Sequence, residues 1–109
     1  MAYNEMLAKR INSKIGNWQN ITEKKMFGGV GFMLNGNMLC GVYKEFLILR
    51  VEPEVGEKLL TEPHTKVFDI TGKVMKGWIM VKPEGCKIDS ELERYIDLAK
   101  DFVDTLPAK

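Results

Sequence analysis

The sequence is poor in the residues that most often build catalytic and metal sites. It contains one histidine, His64, and two cysteines, Cys40 and Cys86, which lie far apart and form no Cys-x-x-Cys pair. One histidine with two distant cysteines is a poor zinc ligand set. We therefore expect no metal site.

Phosphate-binding motifs are missing as well. Gly28, Gly29 and Gly31 form a cluster, but the dinucleotide fingerprint needs a further glycine where Leu34 stands, and a helix must follow it. A predicted hairpin follows instead, and the chain has no Gly-Lys-Ser/Thr of the other phosphate-binding loop. We therefore expect no nucleotide or other cofactor.

No set of residues indicates a reaction. Cys40 lies in a predicted strand among aliphatic residues, where the expected role is that of a small buried core residue. A lone loop histidine such as His64 is more often a solvated turn residue than an acid or base. We expect no catalytic residue, and a small enzyme that uses Cys40 or Cys86 with His64 is the least favoured alternative.

Neither a strong net charge nor a long apolar run is present. The formal net charge is +1, although residues 1–25 carry five Lys/Arg against two Asp/Glu and residues 84–109 carry four against seven. Overall charge therefore indicates no particular partner. The longest apolar runs, such as residues 46–49, are too short to span a bilayer, and no signal peptide is visible. We expect a cytoplasmic protein with free thiols and no membrane partner.

Hydrophobic residues make up 45% of the chain, enough to give a single domain, residues 1–109, its own core. An apolar residue recurs every four positions near the N-terminus and predicts a helix over residues 2–16. Trp18 and Ile21 are expected to anchor the connection from this helix to the sheet.

The strongest local signal is Asn35-Gly36, which is typical of a two-residue type I′ hairpin turn. In the register that this turn implies, Met33 pairs with Met38, and glycines face larger residues, as Gly31 faces Cys40. The glycines either relieve crowding and allow a bulge, which is the default interpretation, or let another backbone or a ligand come close.

The remaining elements follow from similar patterns. Residues 46–51 predict a third strand, Pro53 begins a short helix over about residues 53–61, and residues 66–70 and 74–82 contain two more strands. Ser90 and Glu93 form a capping box at the start of a final helix whose apolar residues have helical spacing. The order α-β-β-β-α-β-β-α indicates an α+β two-layer sandwich with a mainly antiparallel, five-stranded sheet.

Both faces of the predicted sheet are apolar. The predicted register places Val30, Phe32, Leu39 and Tyr43 on one face, and Met33, Met38, Cys40 and Val42 on the other. A sheet with water on one face should alternate apolar and polar residues. We therefore expect helices to cover one face, and helices or a second subunit to cover the other, which predicts a homodimer.

Six residues are candidates for interaction. Met33 and Met38 would form an adaptable binding surface, although filling gaps in the core is the default role of methionine. Lys25, Arg50, Lys76 and Trp78 combine basic groups with an aromatic ring, which is the composition of a nucleic-acid platform. Only one exposed aromatic is expected among them, and the default role of Trp78 is packing under a helix.

Two segments carry a family resemblance, KKMFGGVGFMLNGNMLCGV at residues 24–42 and MKGWIMVKPEG at residues 75–85. They resemble the N-terminal domain of the TfoX/Sxy family over nearly the whole chain. The resemblance implies a fold similar to the YgaC and secretion-chaperone-like α+β proteins, and a role related to that of named members, which regulate bacterial competence genes. Those regulators carry a second, C-terminal domain, which we do not expect within residues 1–109.

The favoured function is a non-enzymatic regulatory or protein-interaction domain that binds a protein partner or a second copy of itself. A module that binds nucleic acid directly is the alternative. The near-neutral charge does not favour that alternative.

Overall fold

The fold is described from a computed structural model, which describes residues 3–26, 28–69, 72 and 76–108. One antiparallel sheet has six strands in the order β1-β2-β3-β4-β6-β5. This confirms the predicted α+β sandwich, with six strands rather than five. In chain order the elements are α1 (Glu5–Ile15), β1 (Ile21–Met26), β2 (Gly29–Leu34), β3 (Asn37–Tyr43), β4 (Phe46–Arg50), α2 (Pro53–Leu59), β5 (Thr65–Val67), β6 (Trp78–Val81), a 3-10 turn (Pro83–Cys86) and α3 (Asp89–Val103).

The additional strand is β1, whose sequence ITEKKM shows no apolar alternation. It lies at the edge of the sheet and pairs only with β2. Its central residues Glu23, Lys24 and Lys25 are exposed, because an edge strand has little to pack against on its outer side. Charged side chains on an edge also discourage pairing with another chain. The charged residues that kept β1 from being predicted are therefore explained by its position at the edge of the sheet.

The hairpin between β2 and β3 has the predicted turn. Asn35 and Gly36 have φ values of 54° and 82°, as a type I′ turn requires. The Met33–Met38 pair is formed as predicted, but the register then shifts, and Phe32 pairs with Cys40 rather than with Leu39. A bulge that leaves one extra residue in β3 has this effect.

The bulge changes which residues share a face. Because directly paired residues point to the same side of a sheet, Cys40 and Val42 lie with Phe32 and Val30, opposite to the prediction. Tyr43 pairs with Gly29 and therefore lies on the side of Met33. The predicted assignment of faces was wrong for these three β3 residues, since the pattern held no sign of the extra residue.

The three α-helices pack on the same side of the sheet, the side of Phe32. α1 buries Leu7, Ile11 and Ile15 there, and α3 contributes the largest set of helix residues to the same cluster. α2 adds Leu59, which is 3% exposed. The α3 residues of this core are Leu92, Tyr95, Ile96, Ala99 and Val103.

The starts of the two long helices are fixed in different ways. In α1 the Asn4 side chain accepts a hydrogen bond from the Leu7 N–H at 3.1 Å, which is a standard N-cap. α3 begins two residues earlier than predicted, with Ile88 rather than Ser90 at the N-cap and no side-chain cap. The Ser90 capping box was therefore wrong. Asp89 instead accepts a hydrogen bond from Arg10 at 2.9 Å, which ties the start of α3 to α1.

Two further contacts join the layers. Trp18 and Ile21 pack against the core as predicted. Asn37, at 3% exposure, donates a hydrogen bond to the Pro107 carbonyl at 2.9 Å, which holds the β2–β3 hairpin against the end of the chain. No helix in the described part of the chain has the length and apolarity needed to cross a membrane.

Candidate functional site: the helix-free face of the sheet

The side of the sheet opposite to the core carries the candidate site, because none of the three α-helices of the described chain packs there. We call it the helix-free face. The strand pairing assigns to it Thr22, Lys24, Gly29, Gly31, Met33, Met38, Gly41, Tyr43, Phe46, Ile48, Arg50, Lys66, Trp78 and Met80.

One row of paired residues crosses the whole helix-free face. In strand order it runs Lys24, Gly31, Gly41, Ile48, Met80 and Lys66. Five strand spacings of about 4.8 Å make the row about 24 Å long. It has a lysine on the strand at each edge, two glycines that add no side chain, and two aliphatic residues. Ile48 and Met80 are each 3% exposed, so this face has a closely packed centre of its own.

The glycines of this row bring backbones together. A Cβ atom on Gly41 would lie 2.5 Å from the Val30 carbonyl oxygen and 2.9 Å from the Met38 methyl carbon. The first contact involves the backbone of the neighbouring strand, and the second shows that the Met38 side chain already lies over the glycine. This close approach supports the default interpretation, relief of crowding, at Gly41.

Aromatic rings and cations are paired on this face. Tyr43 and Phe46 are Cα partners, and the Lys66 ammonium lies 5.3 Å from the centre of the Phe46 ring. The guanidinium carbon of Arg50 lies 5.4 Å from the Trp78 ring and 5.8 Å from the ring of Phe102 on α3, so it lies where the sheet meets the helix layer. These distances are typical of cation–π contacts. Half-buried cations are thus held over half-buried rings.

The charge of the helix-free face has one sign. In the described strands Lys24, Arg50 and Lys66 are its cationic residues and none is acidic, because the one acidic residue of these strands, Glu23, pairs with Phe32 and so lies on the core side. The Arg50 guanidinium also contacts α3, so Lys24 and Lys66 are the cations that belong to this face alone. The helix layer has the opposite balance, since its three helices carry eight acidic against six basic residues, with the acidic excess on α3. The two sides of this domain therefore present different electrostatic surfaces although the net charge is only +1.

Four of the six predicted interaction residues meet on the helix-free face. Met33 and Met38 are Cα partners, and Arg50 and Trp78 are another pair. The default role expected for Trp78, packing in the core under a helix, is not observed. All four are half-buried.

The other two predicted residues lie elsewhere. Lys25 pairs with Val30 and so lies on the core side of the edge strand. Lys76 is exposed in the turn before β6. Lys66, which ends the central row on β5, was not predicted as an interaction residue. The period of two along β5 would have placed it on this face, once that strand and its register were known.

The two thiols have environments unlike that of a nucleophile. Burial raises the pKa of Cys40 to about 12. Burial also raises the pKa of Cys86, whose thiol donates to the Lys82 carbonyl at 3.6 Å. A reactive cysteine needs its pKa lowered and a base within reach. Both shifts have the opposite sign. Among the residues that the structure describes, no three His, Cys, Asp or Glu side chains are grouped to hold a metal ion.

The most connected polar cluster is on the helix side and links the α2–β5 loop to α3. Glu62 accepts hydrogen bonds from Arg94 at 2.8 and 3.2 Å and from the Tyr95 hydroxyl at 2.6 Å. The Arg94 hydrogen bonds are the main cause of the lowered pKa of Glu62. Burial, followed by the hydrogen bond to Glu62, raises the pKa of Tyr95 to about 12. All members have partners, which is typical of a structural cluster.

This cluster predicts a pH-dependent contribution to stability. The folded pKa of Glu62 lies below its unfolded value, so the contribution is complete above about pH 5 and is lost as the pH falls through the folded pKa. Glu62→Gln should lower the free energy of unfolding by about 1 kcal/mol at pH 7, since the site is partly screened by solvent. Urea denaturation should show this difference shrinking towards pH 3. The exposed Glu57→Gln is the control, and a difference that grows at low pH would contradict the assignment.

A groove of about 400 Å³ lies between α2 and α3. Val55, Leu98 and Phe102 give it an apolar lining, and Glu52 and Asp101 line it too. Its acidic character contrasts with the cationic helix-free face.

The described elements define a two-layer α+β domain with its helices on one side of an antiparallel sheet. The family model of the TfoX N-terminal domain matches residues 14–103 of the 109 residues. The chain therefore belongs to the TfoX N-terminal domain family. No curated protein and no solved structure matches it.

Proposed function

We propose that the protein is a non-enzymatic, cytoplasmic interaction domain that binds a partner protein through the helix-free face. Membership of the TfoX N-terminal domain family supports a regulatory role associated with bacterial competence genes. The unpaired thiols Cys40 and Cys86 support the cytoplasmic location, because a reducing compartment keeps thiols free.

The observation that carries this proposal is the composition of the helix-free face. It combines methionines, three aromatic residues and an arginine, which are enriched in protein interfaces. Trp, Tyr and Arg are also the residues that most often dominate binding energy. On the described part of this face the side chains around the buried Ile48 and Met80 are half-exposed, so they keep surface that a partner could bury.

The homodimer predicted from the sequence remains a prediction, but the charges bear on its geometry. Two copies meeting through the helix-free face would bring Lys24 and Lys66 of both copies together with no acidic residue of the described strands opposite them, and like charges across an interface are unfavourable. The edge strands also offer little, since β1 is charged and β5 has three residues. Analytical ultracentrifugation measures the oligomeric state directly, and we expect a different protein to be the main partner.

Binding of nucleic acid is the second candidate, favoured by the cation–aromatic pairs on the same face. Single-stranded nucleic acid is bound by combinations of basic groups and stacking rings. Fluorescence anisotropy of a labelled single-stranded oligonucleotide measures such binding.

Substitution of one methionine on each side of the molecule tests the proposed function. Met33→Glu places a carboxylate on the helix-free face, whereas Met6→Glu makes the same change on α1, where Met6 is 71% exposed. Partners are captured from lysate of the native host on each immobilised variant and quantified by mass spectrometry. We expect Met33→Glu to lose the wild-type partners by tenfold or more, corresponding to about 1.4 kcal/mol, and Met6→Glu to keep them.

Both variants must unfold at a temperature close to that of the wild type for the comparison to count. Equal retention by folded Met33→Glu and Met6→Glu would show that the helix-free face is not the binding surface. Loss on Met6→Glu alone would move the site to the helix layer.

A further inference from the structure

We propose that the helix-free face binds an acidic amphipathic helix of its partner, lying along the central row from Lys24 to Lys66. This inference rests on the proposed function and specifies the chemistry of the partner. It follows from three features of the face: the sign of its charge, the position of the charged residues, and the shape of the row between them.

Charge complementarity selects an anionic partner. Lys24 and Lys66 give the face positive charge, and none of the described strand residues on it is acidic. Opposite potentials across an interface steer association and exclude partners of the same sign. If a second copy of this chain met the helix-free face with its own helix-free face, both surfaces would carry positive charge.

The arrangement of charged and apolar residues selects a helix. The two lysines end a row about 24 Å long, and its interior consists of glycines and aliphatic residues. An α-helix of about 16–18 residues has this length. Its apolar stripe would pack on the half-buried side chains beside the row, such as Met38 and Phe46, and acidic side chains near its ends would reach Lys24 and Lys66.

The surface between the lysines can adapt to such a helix. Gly31 and Gly41 are Cα partners and are buried, so the surface here is formed by the neighbouring side chains rather than by the row itself. The Met38 methyl group lies over Gly41. The methionine side chain is flexible enough to change its conformation and pack against a bound helix. Recognition of an amphipathic helix on an apolar, methionine-rich surface is a recurrent mode of binding.

Nucleic acid fits the same face less well. Stacking of bases needs exposed ring faces, but the Phe46 and Trp78 rings are half-buried and each has a cation over it. The central row contains no aromatic residue at all. The helix-free face is therefore better suited to an acidic helix than to a nucleic acid.

Three labelled probes test this inference by fluorescence anisotropy with the full chain. Two are synthetic peptides of about 18 residues with the same leucine stripe, one with glutamate and one with lysine at the flanking positions. The third is a single-stranded oligonucleotide of similar length. We expect the glutamate peptide to bind at least tenfold more tightly than the lysine peptide, and its affinity to fall when salt is raised from about 50 to about 500 mM.

Charge reversal locates the binding site. Lys24→Glu combined with Lys66→Glu should weaken binding of the glutamate peptide by about tenfold. Lys9→Glu combined with Lys58→Glu is the matched control, because these two exposed lysines lie on α1 and α2 and should change binding little. Thermal unfolding of both double variants checks that they are folded.

Each outcome decides the matter. The inference is overturned if the two peptides bind equally, if none of the probes binds, if both double variants behave alike, or if only the oligonucleotide binds and loses affinity with Lys24→Glu/Lys66→Glu. Its failure can be told from failure of the proposed function. A neutral or basic protein partner would still be lost with Met33→Glu but would be insensitive to this charge reversal.

Discussion

Replacing Gly41 by alanine should destabilise the protein by about 3 kcal/mol or more. The added methyl group would lie 2.5 Å from the Val30 carbonyl oxygen, well inside van der Waals contact. The obstacle is the backbone of a neighbouring strand in the middle of the sheet, so no side-chain rotation relieves it. Differential scanning calorimetry should show the unfolding temperature falling by about 10–20 °C for a domain of this size.

Gly28→Ala is the matched control for this substitution. Gly28 has a φ of +75°, but a Cβ atom there would meet nothing within 4 Å. It should therefore cost only about 1 kcal/mol, from the unfavourable left-handed conformation. If Gly41→Ala were no more destabilising than Gly28→Ala but abolished partner binding, the glycine would serve the approach of a ligand, which was the other interpretation of these glycines.

The sequence predicted the elements with strong periodicity well, and the reasons are physical. The α1 and α3 stripes and the Asn35-Gly36 turn depend on local geometry, because the spacing of residues along the chain alone decides which ones share a face. The α+β sandwich follows from the order of these elements. None of these features needs knowledge of a distant contact.

The errors arose where a distant contact decides the structure. β1 is a strand because it pairs with β2, and its charged sequence shows no sign of this. The bulge beside Leu39 depends on how β2 and β3 fit together, and it moved Cys40, Val42 and Tyr43 to faces opposite to those predicted. Ser90 was predicted as a cap, but the contact between Asp89 and Arg10 accompanies an earlier helix start.

The candidate site was predictable only in part for the same reason. Met33 and Met38 pair next to the turn, before the bulge, so sequence reasoning placed them together correctly. Arg50 and Trp78 were predicted as candidates from their residue types alone. Their pairing depends on β4 lying next to β6, and α2 and β5 separate these two strands in the chain. Lys24 and Lys66 share a face only through four intervening strands. The uniform positive charge of that face is therefore a property of the fold rather than of any segment.

Substitution of two phenylalanines on opposite sides of the sheet should separate the core from the candidate interaction surface. Phe32→Ala removes a ring with 0% exposure from the cluster under the helices and should cost about 3–5 kcal/mol. Phe46→Ala makes the same chemical change on the helix-free face, where the ring is half-buried, and should cost about 1 kcal/mol. Urea denaturation of both variants measures the two losses against the wild type.

The difference between these two values tests the premise of the proposed function. A domain with a stability of about 5–15 kcal/mol remains folded with Phe46→Ala, so partner binding can be measured on this variant, and we expect it to be weaker than that of the wild type. Phe32→Ala is too destabilising to serve for the same binding measurement. If Phe46→Ala were as destabilising as Phe32→Ala, the helix-free face would be a second core that holds the sheet together. Its methionines and rings would then stabilise this chain alone, and the interaction surface would have to be sought on the helix layer.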